Sequence, residues 1–389
     1  MAGQKRLNWI ADFETTTKDD DCRVWGWGLA NVESAETLWD VEIGTDLDSF
    51  ITRISKTDSN VYFHNLKFDG MFILDWLFRH KFAHGSGFIK KGYFKTLISN
   101  MGQFFSITVM WKNGKKTEFR DSFKKLPYSV KTIAKAFGFD EAKGEIDYHM
   151  DRPIGYKITP KEREYIALDV LIVSKALQIQ FKSGMTRLTV GSDSLNEFKK
   201  LTGPKLFSKY FPVLSDALDS EIRLSYRGGF TYVAKRFRGV RVKRGRVYDV
   251  NSLYPAVMYN SLLPYDEPKF VLGEPVVTEE YPLFIAGITF TAKLKKNHIP
   301  CIQVKNSGRF LATEYQEEIK EPLFMMVNNV DLALWEEHYD LEIHSYENAW
   351  MFKGEHGFFK DYIDKWMEVK INSKGGMREL AKLHLNSLY

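Results

Sequence analysis

The sequence contains little cysteine and no long apolar segment. Only Cys22 and Cys301 occur in 389 residues, which argues against a disulfide framework and favours a reducing, cytoplasmic location. No run approaches the roughly 20 apolar residues that a membrane-spanning helix requires, so we expect no membrane partner. The first residues carry no secretory signal pattern, and internal repeats and low-complexity linkers are also lacking.

The composition is otherwise that of an ordinary globular protein. Hydrophobic residues make up 44% of the chain and charged residues 27%. A chain of this length accommodates two or three domains, each with a core of its own. The net charge of +5 permits a polyanionic partner without requiring one.

Basic residues are concentrated in one short segment. Between positions 235 and 246 there is no acidic residue, and the basic ones are Lys235, Arg236, Arg238, Arg241, Lys243, Arg244 and Arg246. The segment is either a solvated hairpin around Gly239 and Gly245 or a grip for the phosphate backbone of a nucleic acid. The pattern favours neither interpretation over the other.

Residues 1–188 have the pattern of a mixed α/β domain. A long helix is indicated after Thr159, which caps it, with Pro160 in the first turn, Glu162 completing a capping box and an end near Gly184. The hydrophobic periodicity predicts further elements in the order strand 7–14, strand 23–32, strand 61–64, helix 70–82, strand 105–111, strand 116–122 and helix 130–138.

The rest of the chain predicts additional domains. We expect a strand at residues 246–250, an insertion rich in proline at 262–357 and helix from about 358 onwards. In the terminal helix an apolar stripe is formed by leucines, and three polar side chains share another face. The stripe consists of Leu380, Leu383 and Leu388, and the polar face consists of Lys382, Asn386 and Tyr389. We expect this helix to continue without a break to position 389.

Four carboxylates in the first domain have the spacing of a metal site. Asp12 and Glu14 share one face of a strand, because side chains alternate with period 2. Asp69 lies where a strand meets a helix, and Tyr165 and Asp169 are one helical turn apart. Each motif alone is common in proteins, but together the four carboxylates suit two Mg²⁺ or Mn²⁺ ions, which prefer oxygen ligands.

The order and spacing of these residues resemble the three motifs of proofreading 3′–5′ exonuclease domains of DNA polymerases. The resemblance implies a ribonuclease-H-like fold, with Asp12, Glu14, Asp69 and Asp169 as metal ligands and Tyr165 orienting the attacking water. It also implies that Lys143 contacts the scissile phosphate. Residues that match contacts to the single-stranded 3′ end are Thr15, Asn65, Phe68, Ser122, Phe123 and Tyr148. Phe123 stands where the family usually has Leu, which is expected to alter the groove without removing a ligand.

A second motif surrounds Asp249, in the segment Asp249-Val-Asn-Ser-Leu-Tyr254-Pro255. It resembles motif A of family B DNA polymerases, and Lys382 to Tyr389 resembles motif B. The pattern is most similar to the protein-primed subgroup of phi-twenty-nine-type phages. The resemblance implies that Asp249 binds metal and that the incoming nucleotide meets Val250, Tyr254, Lys370, Lys382, Asn386 and Tyr389. It also assigns a DNA contact to Tyr226, Arg227, Gly228 and Gly229.

This resemblance implies a domain order. Residues 1–188 would form the exonuclease domain, 189–261 the first part of the palm, 262–357 an α+β insertion that contacts a priming terminal protein, and 358–389 part of the fingers. The expected fold is therefore α/β, with a ribonuclease-H-like domain followed by an incomplete family B palm and fingers. The resemblance also implies a role in viral DNA replication, in the host cytoplasm if the chain is phage-encoded.

One expected motif is missing from the sequence. Two-metal nucleotidyl transfer needs a second palm carboxylate, which this family carries in a Tyr-x-Asp-Thr-Asp-Ser segment after motif B. Gly191-Ser-Asp-Ser194 resembles half of it, but it precedes Asp249, so we interpret it as structural or as a DNA contact. We therefore expect a complete exonuclease and an incomplete polymerase site. The alternatives are a stand-alone 3′–5′ exonuclease or one half of a split polymerase with a complementary chain. Primer-template DNA, single-stranded DNA and deoxynucleoside triphosphates are the expected ligands.

Overall fold

The computed structural model describes residues 6–18, 21–139, 146–304 and 315–388. The chain divides into two compact units. The first unit takes its residues from Met1–Glu197 and Asp364–Tyr389, and the second is Phe198–Ile363. The first unit is therefore built from two separate stretches of the chain.

An eight-stranded mixed sheet forms the centre of the first unit, with the strand order β3-β2-β1-β4-β8-β7-β6-β5. Strand β1 pairs antiparallel with β2 and parallel with β4, and β4 pairs parallel with β8. The strands are β1 Leu7–Thr15, β2 Val24–Asn31, β3 Val41–Gly44, β4 Ser59–Phe63, β5 Ala83–His84, β6 Tyr93–Ile98, β7 Phe104–Met110 and β8 Lys116–Asp121.

Helices cover both faces of this sheet, because the central strands β1 and β4 carry apolar side chains on both faces. Phe13, Phe63 and Phe119 enter one core together with residues of α1 and α2. Ile10 and Tyr62 enter the other core with residues of α3, α4 and α11. The helices of this unit are α1 Leu47–Ile54, α2 Leu66–Arg79, α3 Val130–Phe137, α4 Pro160–Lys182 and α11 Gly375–Leu385, and α5 Val190–Thr202 and α10 Lys360–Asn372 each cross a boundary between the units.

Most elements predicted for residues 1–188 are confirmed. The predicted capping box of α4 is present, with Thr159 and Glu162 exchanging bonds and Pro160 opening the helix. Helix α2 begins at Leu66 instead of Gly70 and ends at Arg79, before Phe82. Its earlier start follows from Asn65, which takes up the left-handed conformation and ends β4 sharply. The strand-to-helix junction therefore lies before Asp69, which is inside the first turn.

The terminal helix is shorter than predicted. Helix α11 ends at Leu385, and Asn386 is its C-terminal cap, with its N–H bonded to the Lys382 carbonyl. Asn386 and Leu388 thus lie beyond the helix, and the expectation of an uninterrupted helix is wrong. The backbone leaves the helical conformation at Asn386, where φ is −102° and ψ is 9°. Tyr389 is outside the described residues.

The second unit combines short helices with an antiparallel sheet of order β11-β10-β12-β9. Trp335 of α9 packs on this sheet against Phe290 at 5.3 Å between ring centroids, within a core that includes Ala286 and Ile288. The elements are α6 Pro204–Tyr210, α7 Asp216–Arg223, α8 Leu253–Asn260, β9 Leu263–Leu272, β10 Leu283–Leu294, β11 Glu318–Asn328, α9 Asn329–His338 and β12 Tyr339–Glu355. The α+β character expected for the insertion is present here.

The strand predicted at residues 246–250 is not formed. Between α7 and α8 the structure contains only a short 3₁₀ turn, Lys235–Phe237, and residues 246–250 are all exposed. Among the described residues no strand pairs with this segment. Its β-forming residues, such as Val247 and Tyr248, do not form a strand alone, because a strand is stabilised by its neighbours.

None of the described helices is both long enough and apolar enough to cross a bilayer.

Candidate active site

Three carboxylates from two elements meet in the first unit. Asp12 and Glu14 project from β1 toward the face that α4 covers, and Asp169 projects from α4. One oxygen atom from each of the three lies within 4.8 Å of the others. Glu14 and Asp169 are buried and Asp12 is partly exposed. A cluster of buried carboxylate oxygens open on one side is a donor set that fits Mg²⁺ or Mn²⁺.

Asp69 reaches the same strand from α2. Its Oδ1 accepts a hydrogen bond of 3.2 Å from the N–H of Phe13, the residue between Asp12 and Glu14. Burial raises the pKa of Asp69 well above its usual range, and the negative charges of Asp12 and Glu14 raise this pKa further. The four predicted carboxylates therefore interact electrostatically. A cation among them would relieve their mutual repulsion.

Tyr165, on α4 one turn before Asp169, is buried. Its hydroxyl lies 2.7 Å from the hydroxyl of Tyr148. Burial is the main cause that raises the pKa of Tyr165, followed by the bond to Tyr148 and the charges of Asp169 and Glu14. Tyr165 therefore keeps its proton at neutral pH and remains able to donate a hydrogen bond at the carboxylate cluster.

The loop that carries Tyr148 is fixed by a buried arginine. The Nε of Arg152 pairs with Glu162 Oε1 at 2.9 Å, and its second guanidinium nitrogen donates to the Asp147 carbonyl at 2.8 Å. Its guanidinium also lies over the ring of Trp25, 4.2 Å from the centroid. Arg152 was missed by the sequence analysis. The sequence signal that could have found it is Glu162 of the capping box, because a buried carboxylate needs a positively charged partner.

Four of the six residues expected to contact a 3′ end lie near the start of α2 and the end of β8. Asn65, Phe68 and Phe123 are exposed, and Thr15 ends β1. Ser122 is fully buried instead. Its hydroxyl donates to the Phe63 carbonyl at 3.0 Å and lies 3.1 Å from His64 Nδ1. Lys143 is outside the described residues.

The segment Gly191-Ser-Asp-Ser194 is held by a buried ion pair. The carboxylate of Asp193 pairs with Lys125, and both side chains are buried. Asp193 also accepts the N–H of Arg187 at 2.8 Å. These contacts agree with the structural interpretation of the segment.

The predicted nucleotide-binding residues belong to different units. Asp249, Val250 and Tyr254 are exposed in the second unit, where Ser252 opens α8 in the left-handed conformation. Lys370, Lys382 and Asn386 are in the first unit.

The Tyr226–Gly229 segment is in the second unit. Tyr226 is exposed, and Arg227 donates to the Met326 carbonyl at 3.0 Å. Desolvation lowers the pKa of Arg227.

Comparison with known proteins identifies one group of relatives. The family model described as DNA polymerase type B, organellar and viral, matches residues 51–154 and 143–389. The DNA polymerase of Bacillus phage phi29 is 47% identical over 394 residues, a match that covers 100% of this chain and 68% of that polymerase.

Solved structures agree with this similarity. The chain matches phi29 DNA polymerase complexed with single-stranded DNA with a TM-score of 0.92 and 46% identity, over 99% of this chain and 67% of that one. It matches the complex of the same polymerase with primer-template DNA and incoming nucleotides with a TM-score of 0.87, over 99% and 68%.

Proposed function

Because the chain belongs to the type B DNA polymerases of organelles and viruses, we propose that its first unit is a 3′–5′ exonuclease acting on single-stranded DNA. The main support is the cluster of Asp12, Glu14 and Asp169, with oxygen atoms within 4.8 Å of one another. Asp69, bonded to the backbone between the first two, completes the ligand set.

Two Mg²⁺ or Mn²⁺ ions would be held by these four carboxylates. When bound, such ions lower the pKa of a water molecule and neutralise charge on the scissile phosphate. The protein supplies the remaining chemistry. Tyr165 stays protonated beside the carboxylates, so its hydroxyl orients the attacking water, and Tyr148 limits the rotation of that hydroxyl. Lys143, outside the described residues, is proposed to meet the phosphate.

The 3′ end would lie between α2 and the end of β8. Phe68 and Phe123 present exposed rings on which the terminal bases can stack. Asn65, at the start of α2, and Thr15, at the end of β1, offer polar side chains. Ser122, being buried, supports this groove through Phe63 and His64 rather than by direct contact.

The second unit is proposed to contribute to DNA and nucleotide binding. In this assignment Asp249 is a metal ligand of the polymerase site, and the domain boundaries at 188, 261 and 357 separate exonuclease, palm, terminal-protein insertion and fingers. The proposed nucleotide contacts are Val250 and Tyr254 of the second unit together with four residues from positions 364–389, which are Lys370, Lys382, Asn386 and Tyr389. Support comes from family membership and from the relative whose complex contains primer-template DNA and nucleotides.

The basic segment 235–246 supports DNA binding by the second unit. All of its residues are exposed, and Lys235 forms an ion pair with Glu317 at 2.7 Å. In the part of the chain that the structure describes, no acidic side chain lies within ion-pair distance of the other basic residues of the segment. A run of unneutralised cations favours a phosphate backbone as its ligand.

Degradation of 5′-labelled single-stranded DNA by the full chain tests the exonuclease. Wild type with Mg²⁺ or Mn²⁺ is expected to shorten the strand from its 3′ end, and Asp12→Ala combined with Glu14→Ala is expected to abolish this. Asp75→Ala with Glu164→Ala removes two exposed carboxylates from α2 and α4 and should leave the rate unchanged. Full activity in the Asp12/Glu14 double variant would refute the assignment.

A further inference from the structure

Asp121 is a buried carboxylate that the mechanism above does not use. It is the last residue of β8, whose alternation turns Thr117, Phe119 and Asp121 toward the core. Only 4% of Asp121 is exposed. A carboxylate at such a position is costly unless it is well hydrogen-bonded, so its partners indicate what it does.

Its partners come from two different segments of the chain. Asp121 Oδ1 accepts the N–H of Phe123 at 2.9 Å and the N–H of Asn65 at 3.1 Å. The N–H of Leu66 also bonds to this carboxylate. Because β8 runs parallel to β4, with Asp121 opposite Phe63, one side chain joins the ends of two neighbouring strands.

The bonds to Asn65 and Leu66 cap helix α2. Asn65 is the N-terminal cap residue by position, at φ 77° and ψ 59°, yet its side chain makes no capping hydrogen bond. A helix start leaves N–H groups that need acceptors, and a negative charge there is favourable. Asp121 fulfils that role from another strand, so the carboxamide of Asn65 is not needed as a cap.

We propose that Asp121 is a positioning residue of the exonuclease site, which fixes the Asn65 and Phe123 backbones at the two sides of the groove for the 3′ end and leaves the Asn65 carboxamide for DNA. The proposal rests on the exonuclease function proposed above. The same carboxylate fixes the first turn of α2, which carries Phe68 and Asp69. Asp69 has a second anchor in the Phe13 N–H, whereas Asn65 and Phe123 are proposed to contact the strand itself. Loss of the Asp121 carboxylate should therefore weaken DNA binding more than it slows bond cleavage.

Three variants of the full chain test this role. Asp121→Ala removes the acceptor, and Asp121→Asn keeps a carbonyl oxygen that can accept the N–H groups of Phe123 and Asn65 but removes the negative charge. Asp58→Ala is the matched control, because Asp58 accepts the Lys116 N–H at 2.8 Å at the opposite end of β8. Steady-state degradation of single-stranded DNA gives KM and kcat, and amide hydrogen exchange is read at Asn65 and Phe123.

Asp121→Ala is expected to raise KM about tenfold, the effect of losing one hydrogen bond to a charged group, with a smaller change in kcat. Exchange at Asn65 and Phe123 should accelerate. Asp121→Asn should raise KM less than Asp121→Ala does, because it keeps one acceptor oxygen, and Asp58→Ala should leave KM unchanged. If Asp121→Ala fails to fold, Asp121→Glu, which displaces the carboxylate by one methylene, is expected to show the same rise in KM.

Two outcomes would overturn the proposal. One is an unchanged KM in Asp121→Ala while wild type degrades DNA, which leaves the exonuclease function intact. The other is unchanged exchange at Asn65 and Phe123, which shows that the carboxylate does not hold them. If wild type degrades no DNA, the exonuclease function fails separately, and the exchange measurement still decides whether Asp121 positions the two backbones.

Discussion

The hydroxyl groups of Tyr148 and Tyr165 lie 2.7 Å apart at the edge of the carboxylate cluster. Tyr165 is buried on α4, whereas Tyr148 is about half exposed on a loop. A hydroxyl fixed in this way points in one direction, and a water molecule bonded to it would be oriented toward a phosphate held at the carboxylates.

Tyr165→Phe should therefore reduce exonuclease kcat by about 100-fold, the lower end of the range for loss of a positioned proton-bearing group. The variant keeps the ring and its packing, so the thermal midpoint should change little. Tyr148→Phe should also reduce the exonuclease kcat, but by a smaller factor. Tyr93→Phe, on β6, is the control. Equal kcat in Tyr165→Phe and wild type would contradict a role of this hydroxyl in orienting water.

Asp69→Asn should stabilise the metal-free protein at neutral pH. The folded-state pKa of Asp69 is raised by burial and by Asp12, so the folded state binds more protons than the unfolded state as pH rises above the usual carboxyl range. The free energy of unfolding therefore falls with rising pH through that window. Removal of this charge should raise the free energy of unfolding by about 0.5–2 kcal/mol, and the variant should lose nuclease activity.

Calorimetry in EDTA at pH 5 and pH 8 measures the effect. Asp69→Asn should raise the free energy of unfolding more at pH 8 than at pH 5. Addition of Mg²⁺ should stabilise wild type more than the variant. Asp75→Asn, an exposed carboxylate on the same helix, should show neither behaviour. A variant that is less stable than wild type at pH 8 without metal would contradict the predicted repulsion.

His384 should make the first unit sensitive to acid. Its ring stacks on Trp366 at 3.8 Å between centroids, and burial, then the charges of Lys365 and Lys125, lower the pKa of His384 from 6.5 to about 3. The unfolded state thus binds the additional proton between these values, so stability is lost as pH falls below 6.5. The pKa of His384 is lowered although Glu197 Oε2 lies 3.7 Å from His384 Nε2.

Between pH 7.5 and pH 5 the free energy of unfolding should fall by about 2 kcal/mol more in wild type than in His384→Gln. Chemical denaturation at the two pH values gives this difference. His84→Gln, an exposed histidine on β5, should behave as wild type. Parallel pH curves for wild type and His384→Gln would show that His384 is not kept neutral.

Replacement of Arg241, Lys243 and Arg244 by Gln should lower the salt dependence of DNA binding. Each cation that neutralises a phosphate of a single strand contributes about 0.7 to the slope of log K against log salt, so the three together should reduce the slope by about 2. Fluorescence anisotropy with a labelled strand measures it. Gln at the exposed Lys56, Lys81 and Lys112 is the charge-matched control. An unchanged slope would favour a solvated segment without DNA contact.

The sequence predicted five of the eight strands of the first sheet, because those strands have strong local signals. Strands β3, β5 and β6 were not predicted, and β3 and β5 are only four and two residues long. The alternation around Asp12 and the capping box at Thr159 each specify an element without long-range information. The position of Asp69 inside α2 was missed, since the left-handed Asn65 is stabilised by Asp121, which is distant in sequence. Arg152 was also missed because its role depends on contacts with other elements, namely Glu162 of α4 and Trp25 of β2.

The second unit shows the opposite case. Residues 246–250 have the composition of a strand, yet Val247 and Tyr248 are exposed and unpaired with any described strand. Strand formation there depends on neighbours rather than on the residues themselves. Local patterns therefore predicted elements that are stable by their own capping or packing, and failed where stability comes from pairing.

The first unit is assembled from two separate segments of the chain, and this affects how it folds during translation. The ribosome completes α3 and α4 long before it makes α11, whose Leu383 enters the same core. Synthesis of residues 198–363 in between takes roughly ten to thirty seconds at bacterial rates. During that time the apolar surface around Phe137 and Ile179, which lies against Gly376 of α11, lacks part of its cover. We therefore expect the nascent chain to bind chaperones that recognise exposed hydrophobic segments.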